Sequence, residues 1–449
     1  MIESRVLSPA QMSGLRQSMG LVDATAMVVG IILGASIFIQ PSEITRLVPS
    51  STGVLLVWLA AGVLTLCGAL VCAELSAVFP STGGVYVFLK EIFSPALGFL
   101  WGWGMFWSMH SGIIAAIAVI LGRYAGYFMP LSEWGVRGVA IAAVLLLSVI
   151  NYLGVKPGST VQVVLTSAKL AAIVILVIVL FGLGGAAHRT AAAGAVASSG
   201  VPIRNYLLAI GAGLFAYGGW HMVTYAAGET REAARTLPRA LMAGTVVVTA
   251  CYMLLNGAYL YVMPVRQLAE SHRVASDAAQ RTLGLGMGGV ISVLVIVSAI
   301  GALNGIILAG PRVYYAMAQD GLAFRWMGAV DARRQTPSIA IASQALWSCL
   351  LVATNSYREL FTRVVYTEWM FFALLAAGLF VLRRRTGWRP QYLGWAFPVA
   401  PFVFIAASLG IAFNQLAVNP RDSVMGLGLL LLGIPVYFLS AKAPKNAHH

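Results

Sequence analysis

The sequence predicts an all-α integral membrane protein with twelve transmembrane helices. Three observations lead there. Of its 449 residues 59% are hydrophobic and only 10% are charged, whereas about a quarter are charged in soluble globular chains. Apolar runs approaching the ~20 residues needed to cross a bilayer recur from end to end. Two of those runs are interrupted by clusters of small residues, at 29–38 and 215–220.

Taken in order, the spans are 22–40, 53–79, 96–122, 136–153, 161–183, 206–227, 241–263, 287–317, 338–354, 360–382, 397–418 and 424–440. The first holds the small-residue run Gly30 to Ser36, the fifth holds Lys169, and the sixth is interrupted at Tyr217-Gly218-Gly219. The eighth carries Asn304, and the tenth carries Glu368 and stops at Arg383-Arg384-Arg385. Connections are short, so residues 1–449 read as one membrane domain. The longer ones are a stretch of helical character at 264–284 and a charged loop at 228–240, which reads either as a solvated face or as part of a gate.

The formal charge of +14 is not a nucleic-acid signal, because Lys and Arg are scattered among the connections instead of forming one basic patch. An even number of spans puts both termini on one side. The larger share of the 29 Lys and Arg falls in the connections on that side, which predicts cytoplasmic termini in the cell inner (plasma) membrane. No cleavable signal peptide is expected at residues 1–20. Cys67, Cys72, Cys251 and Cys349 sit in apolar runs without metal-ligand spacing, so neither a metal nor another cofactor is expected. Enzyme motifs are lacking, and Gly284-x-Gly-x-x-Gly opens a membrane helix instead of following a strand, which fails the dinucleotide test.

The small-residue run around Gly30 and Gly34 reads two ways. It is a Gly-x-x-x-Gly packing face, or a place where the helix opens. In lipid a helix keeps its backbone groups paired because no water replaces them. A break offers N–H groups to an anion and C=O groups to a cation near the bilayer midplane. The second interruption, five spans later, favours the break, since broken helices at corresponding positions of two halves point to a transporter site.

Among polar residues, Lys169 is the sharpest signal, because a cation inside a span costs at least ~2.5 kcal/mol on insertion scales. It either snorkels to the interface or donates to carbonyls of the broken first helix. Glu368 is a protonated acid, a carboxylate paired with a cation, a carboxyl in contact with water, or a neutral acid bonded to a neighbouring helix. Asn304 reads as an interhelical hydrogen-bonder or as site lining. Trp220 caps a ligand or fills an aromatic interface, and His221 has no assigned role. Glu74 and Asp23 lie near span ends and read as interfacial.

The chain resembles the amino acid–polyamine–organocation superfamily, in particular bacterial relatives of the L-type amino acid transporters. The resemblance lies in Gly34-Ala35-Ser36-Ile37-Phe38, in Phe215-Ala216-Tyr217-Gly218-Gly219-Trp220, in Ala73-Glu74-Leu75 with Pro80-x-x-Gly83-Gly84-x-Tyr86, in Asn151-x-x-Gly154-Val155-Lys156 and in Arg312 to Gly321. It implies a LeuT-like 5+5 inverted repeat, at about 21–183 and 205–382, with two additional C-terminal helices at about 397–440. It implies an L-amino-acid substrate whose carboxylate meets the N–H groups of Ala35 and Ser36. The ammonium then meets the carbonyls of Ile32, Phe215 and Ala216, and Gly218, Gly219 and Trp220 stand near the side chain. Lys169 matches a lysine that stands where sodium-coupled relatives hold an ion. The expected function is therefore a sodium-independent exchanger, with a proton-coupled amino acid or polyamine carrier using Glu368 as the alternative and a non-transporting sensor as a remote one. Ser36 departs from the usual glycine, and Glu368 from a usually neutral residue. The connection 124–135 holds no cysteine, so no disulfide-linked heavy chain is expected as a partner.

Overall fold

The computed structural model describes residues 19–153, 159–188, 200–284, 286–322, 327, 329, 337–385, 392 and 394–441. Among them the chain is helical, with no strand beyond an isolated bridge between Met19 and Thr230. Gly154-Val155-Lys156 and the basic residues Arg5, Arg16, Arg189, Arg325, Arg333, Arg334, Arg389, Lys442 and Lys445 lie outside the described residues.

The described chain begins with α1 (Leu21–Ile32), whose N-cap residue Gly20 donates its N–H to Asp23 at 2.9 Å. A 3-10 turn at Ala35–Phe38 and α2 (Gln40–Leu47) continue it. Then come α3 (Ser51–Val78), α4 (Val85–Ile92), α5 (Pro95–Gly104), a π-helical turn at Met105–Met109 and α6 (His110–Ala125). Ser50, Ser94 and Ser132 start α3, α5 and α7 (Glu133–Tyr152) by accepting a backbone N–H three residues on, the usual job of an N-cap serine. Next are α8 (Ser159–Leu183), α9 (Ile203–Ala216), a 3-10 stretch at Trp220–Glu229 and α10 (Ala233–Val262). The second half closes with α11 (Val265–Glu270), α12 (Val274–Leu283), α13 (Met287–Gln319), α14 (Ser338–Thr354) and α15 (Tyr357–Arg383). Finally come α16 (Val399–Val418), α17 (Pro420–Leu431) and α18 (Gly433–Ala441).

By length and composition, ten helical stretches among the described residues are able to cross a membrane, and two shorter apolar ones, Ser338–Thr354 and Ser423–Leu439, accompany them. These twelve follow the expected spans within a few residues, except that the seventh starts at Ala233 instead of 241 and the last is divided, because its helix stops at Leu431 and restarts at Gly433. The connection after Pro80 contains α4, an amphipathic helix that the search for apolar runs passed over. The charged loop at 228–240 is shorter than expected: α10 begins at Ala233 and carries Pro238 inside it, where the missing N–H leaves the Ala234 carbonyl without its helical donor. The connection 264–284 does hold two short helices.

The first broken helix sits at the centre. α1 packs on α8 and α10, and the turn at 35–38 packs on α6 and α13. α3 lies along α10 over much of its length. Leu346, Phe402, Phe413 and Leu439, on α14, α16 and α18, are among the most exposed large apolar side chains, as expected of surfaces solvated by lipid.

Candidate functional site

Both small-residue runs are helix breaks. In the first, Leu33 leaves helical geometry (φ −69°, ψ 54°) and Gly34 is extended (φ −79°, ψ −168°), so α1 stops before the 3-10 turn begins. Ala35 and Ser36 open that turn, and the first N–H groups of a helical segment have no partner within it. In the second, α9 ends at Ala216 and Gly219 adopts φ +94°. A side chain is disfavoured there twice over: this φ is left-handed, and a Cβ would stand 2.5 Å from Ile31 Cγ2 of α1. The two breaks therefore lie against each other.

A narrow cavity opens between them. Ile31, Ile32, Gly34 and Ser36 line it from the first break, and Phe215, Ala216, Gly218, Gly219 and Met222 from the second. Ile113 and Ile117 of α6, Ile306 of α13, and Val364 and Glu368 of α15 complete the wall. Of the residues singled out from the sequence, Ala35, Tyr217, Trp220, Lys169 and Asn304 do not line it. Trp220 is buried against Phe372 and Phe404, with ring centroids at 5.1 and 6.4 Å, which is the aromatic-interface arrangement. Tyr217 is buried too, its hydroxyl donating to the Trp58 carbonyl at 3.3 Å. Asn304 Oδ1 accepts from Asn151 Nδ2 at 2.7 Å, joining α13 to α7.

Lys169 approaches α1 from α8, with Nζ 3.5 Å from the Gly30 carbonyl. Its amine faces α13 as well, since a Cβ on Gly301 would lie 3.6 Å from it. Glu368 is buried at the cavity wall, and its Oε1 lies 3.5 Å from His221 Nε2.

Tyr252 of α10 is the residue that the sequence reading missed. Its hydroxyl is fully buried, 2.7 Å from the Ile32 carbonyl and 2.9 Å from the Ala216 carbonyl. One phenolic proton thus serves a carbonyl at each break, one at a time. The Ile32 carbonyl also accepts from Gly34 N–H at 2.6 Å, which uses both of its lone pairs whenever Tyr252 points that way. The Phe215 carbonyl accepts from Gly218 N–H at 3.0 Å and is approached by the Tyr217 N–H as well. A tyrosine inside an apolar span was the available signal, but nothing in the run says which way it faces.

Polar contacts fasten the bundle on either side of the breaks. On the α1 side, Met19 N–H donates to the Glu229 carbonyl at 3.1 Å and the Met19 carbonyl accepts from Arg231 N–H at 2.9 Å, while the Glu229 carboxylate takes Arg312 at 3.2 Å. Nearby, Asp320 receives Lys90 at 2.8 Å and the Tyr86 hydroxyl. Burial and this neighbouring carboxylate push the Tyr86 hydroxyl above its usual range, so it stays protonated and donates. On the α2 side, Glu43 binds Arg358 at 2.5 Å and Arg46 at 2.9 Å, and Tyr124 donates to the Phe38 carbonyl at 2.8 Å. Glu74, read as interfacial from the sequence, is instead fully buried in a two-pronged pair with Arg383. The apolar length of α3 could not reveal this, because its partner lies in α15.

Chemically, the cavity offers the backbone of both breaks, the Ser36 hydroxyl, one buried carboxyl and otherwise apolar walls. That set suits a small zwitterion. Among the described residues no three His, Cys, Asp or Glu side chains gather as a metal site.

Known proteins with similar sequences are membrane transporters. A family profile described as amino acid permease matches residues 19–437. The serine/threonine exchanger SteT of Bacillus subtilis is 34% identical over 435 residues, covering 95% of this chain and 97% of that protein. The large neutral amino acids transporter small subunit 2 of Rattus norvegicus is 31% identical, covering 95% and 81%. The b(0,+)-type amino acid transporter 1 of Homo sapiens is also 31% identical, covering 95% and 88%.

Proposed function

The chain belongs to the amino acid permease family, and from that premise we propose that it is a sodium-independent L-amino-acid exchanger working by alternating access. The observation that carries this reading is the cavity shared by two broken helices. The N–H groups of Ala35 and Ser36, at the start of the 3-10 turn, receive the substrate carboxylate. The carbonyls of Phe215 and Ala216 receive the ammonium, and the Ile32 carbonyl joins them when the Tyr252 hydroxyl turns away. The side chain lies against Gly218, Gly219 and Met222.

In this reading the spans form two inverted repeats, at about 21–183 and 205–382, each beginning with a broken helix, with spans eleven and twelve outside them. Both termini are cytoplasmic in the plasma membrane. Lys169 supplies a fixed positive charge beside α1, which makes a sodium ion unnecessary there. The protein works without a disulfide-linked heavy chain, since 124–135 has no cysteine. Contacts around Glu229 and Asp320 close one side of the cavity and those around Glu43 the other, and each set breaks in turn.

Proteoliposomes preloaded with mixed unlabelled L-amino acids test the proposal, with one labelled amino acid outside at a time. Exchange requires uptake that depends on the internal pool and ignores sodium and proton gradients. Uptake into empty vesicles that follows an inward proton gradient, and is lost in Glu368→Gln, replaces it with the proton-coupled reading, which the contact between His221 and Glu368 favours.

A further inference from the structure

We propose that Glu368, backed by His221, selects amino acids whose side chains end in an O–H or N–H donor. The inference rests on the amino acid reading above and names the side-chain class that the same cavity takes.

Among the described residues, Glu368 is the one titratable side chain in the cavity wall, where Ile113, Ile117, Met222, Ile306 and Val364 offer no polar atom. Among the described residues, no protein donor makes a hydrogen bond to its carboxyl. The nearest is His221 Nε2 at 3.5 Å, an approach without hydrogen-bond geometry, and both ring nitrogens of His221 are buried without a hydrogen-bond partner. His221 is not free to turn toward water. Trp101, Trp220, Tyr225 and Phe372 box it in, with ring centroids at 5.8, 5.5, 5.6 and 5.0 Å.

A buried polar group without a hydrogen bond is unfavourable. A donor entering the cavity on a substrate side chain relieves that penalty at Glu368. An apolar side chain of the same shape displaces water and leaves the carboxyl unsatisfied. The wall therefore discriminates between isosteres, which a purely apolar wall does only weakly. Satisfying a buried group that is otherwise left without a hydrogen bond gives a preference of about tenfold or more.

The test uses purified full-length protein and reads ligand affinity from the concentration dependence of thermal stabilisation. The probes are three pairs similar in shape: L-threonine and L-valine, L-glutamine and L-methionine, L-lysine and L-2-aminoheptanoate. In at least one pair the donor-bearing member should bind about tenfold more tightly or better. That ratio should collapse toward one in Glu368→Leu and fall in the isosteric Glu368→Gln, which also serves if the leucine variant fails to fold. Preference confined to the lysine pair assigns the site to cationic side chains, and preference in the other two to neutral ones. A ratio near one in every wild-type pair, or one that survives both substitutions, overturns the inference. So does parallel weakening of both members, which would put the carboxyl on the α-ammonium. If no amino acid stabilises the folded wild-type protein, the amino acid reading itself fails, a result distinct from all of these.

Discussion

Replacing Arg383 with methionine should destabilise the protein strongly. Glu74 has no solvent exposure. Its Oε1 accepts Arg383 Nε at 2.9 Å, and its Oε2 accepts Arg383 Nη2 at 2.7 Å and Gly394 N–H at 2.9 Å. Without the guanidinium, a buried carboxylate keeps one backbone donor out of three. Breaking such a pair from one side costs about 3–5 kcal/mol, mostly because the remaining charge is left buried and unpaired. The reverse change, Glu74→Gln, should cost about 1–2 kcal/mol. Arg383 is 20% exposed and stacks 3.9 Å from the centre of the Phe397 ring, so it can still reach water or the amide oxygen. In the double variant the stranded charge is gone, so its cost should fall below the sum of the singles by about 1.5 kcal/mol or more. Reversible denaturant unfolding in detergent, run on all four proteins, measures the cycle. Additivity within about 0.5 kcal/mol would show that the pair carries no coupling and that the reasoning from burial is wrong.

Three further outcomes are expected at the cavity. Lys169→Ala should cut exchange at least tenfold while the protein stays folded in the membrane, because α1 loses its fixed cation; wild-type uptake in vesicles would remove that role. Ser36→Gly should keep transport and shift the order of substrate preference, since the turn keeps its N–H groups and loses a hydroxyl; abolished binding would make the hydroxyl essential. Tyr252→Phe should lower stability by about 1–3 kcal/mol without ligand. That gap should narrow at saturating substrate, when an ammonium serves the carbonyls of Ile32 and Ala216. An equal loss with and without ligand would show that Tyr252 and the substrate do not share these acceptors.

The sequence determined the class of the molecule and the place where its helices open. Runs of apolar residues near bilayer length locate spans because lipid leaves a backbone few alternatives to a helix. Gly34-Ala35-Ser36 and Gly218-Gly219 locate the breaks because both signals are local, residing in backbone freedom and the absence of side chains. Lys169 was visible for a related reason, since a charge in an apolar run stands out whatever it touches, and the Gly30 carbonyl is what it meets. Which face of a span looks inward is another matter. In an apolar helix nearly every side chain is compatible with lipid or with protein, so periodicity separates the two poorly. Tyr252 between the two breaks, Glu74 beneath Arg383, His221 beside Glu368 and the isoleucines of the cavity wall were therefore settled by tertiary packing, which joins residues from helices far apart in the chain. The same packing turned Trp220 toward Phe372 and Phe404 and away from the cavity. Local chemistry thus fixed where the backbone opens, and the contacts between distant helices decided which side chains surround the opening.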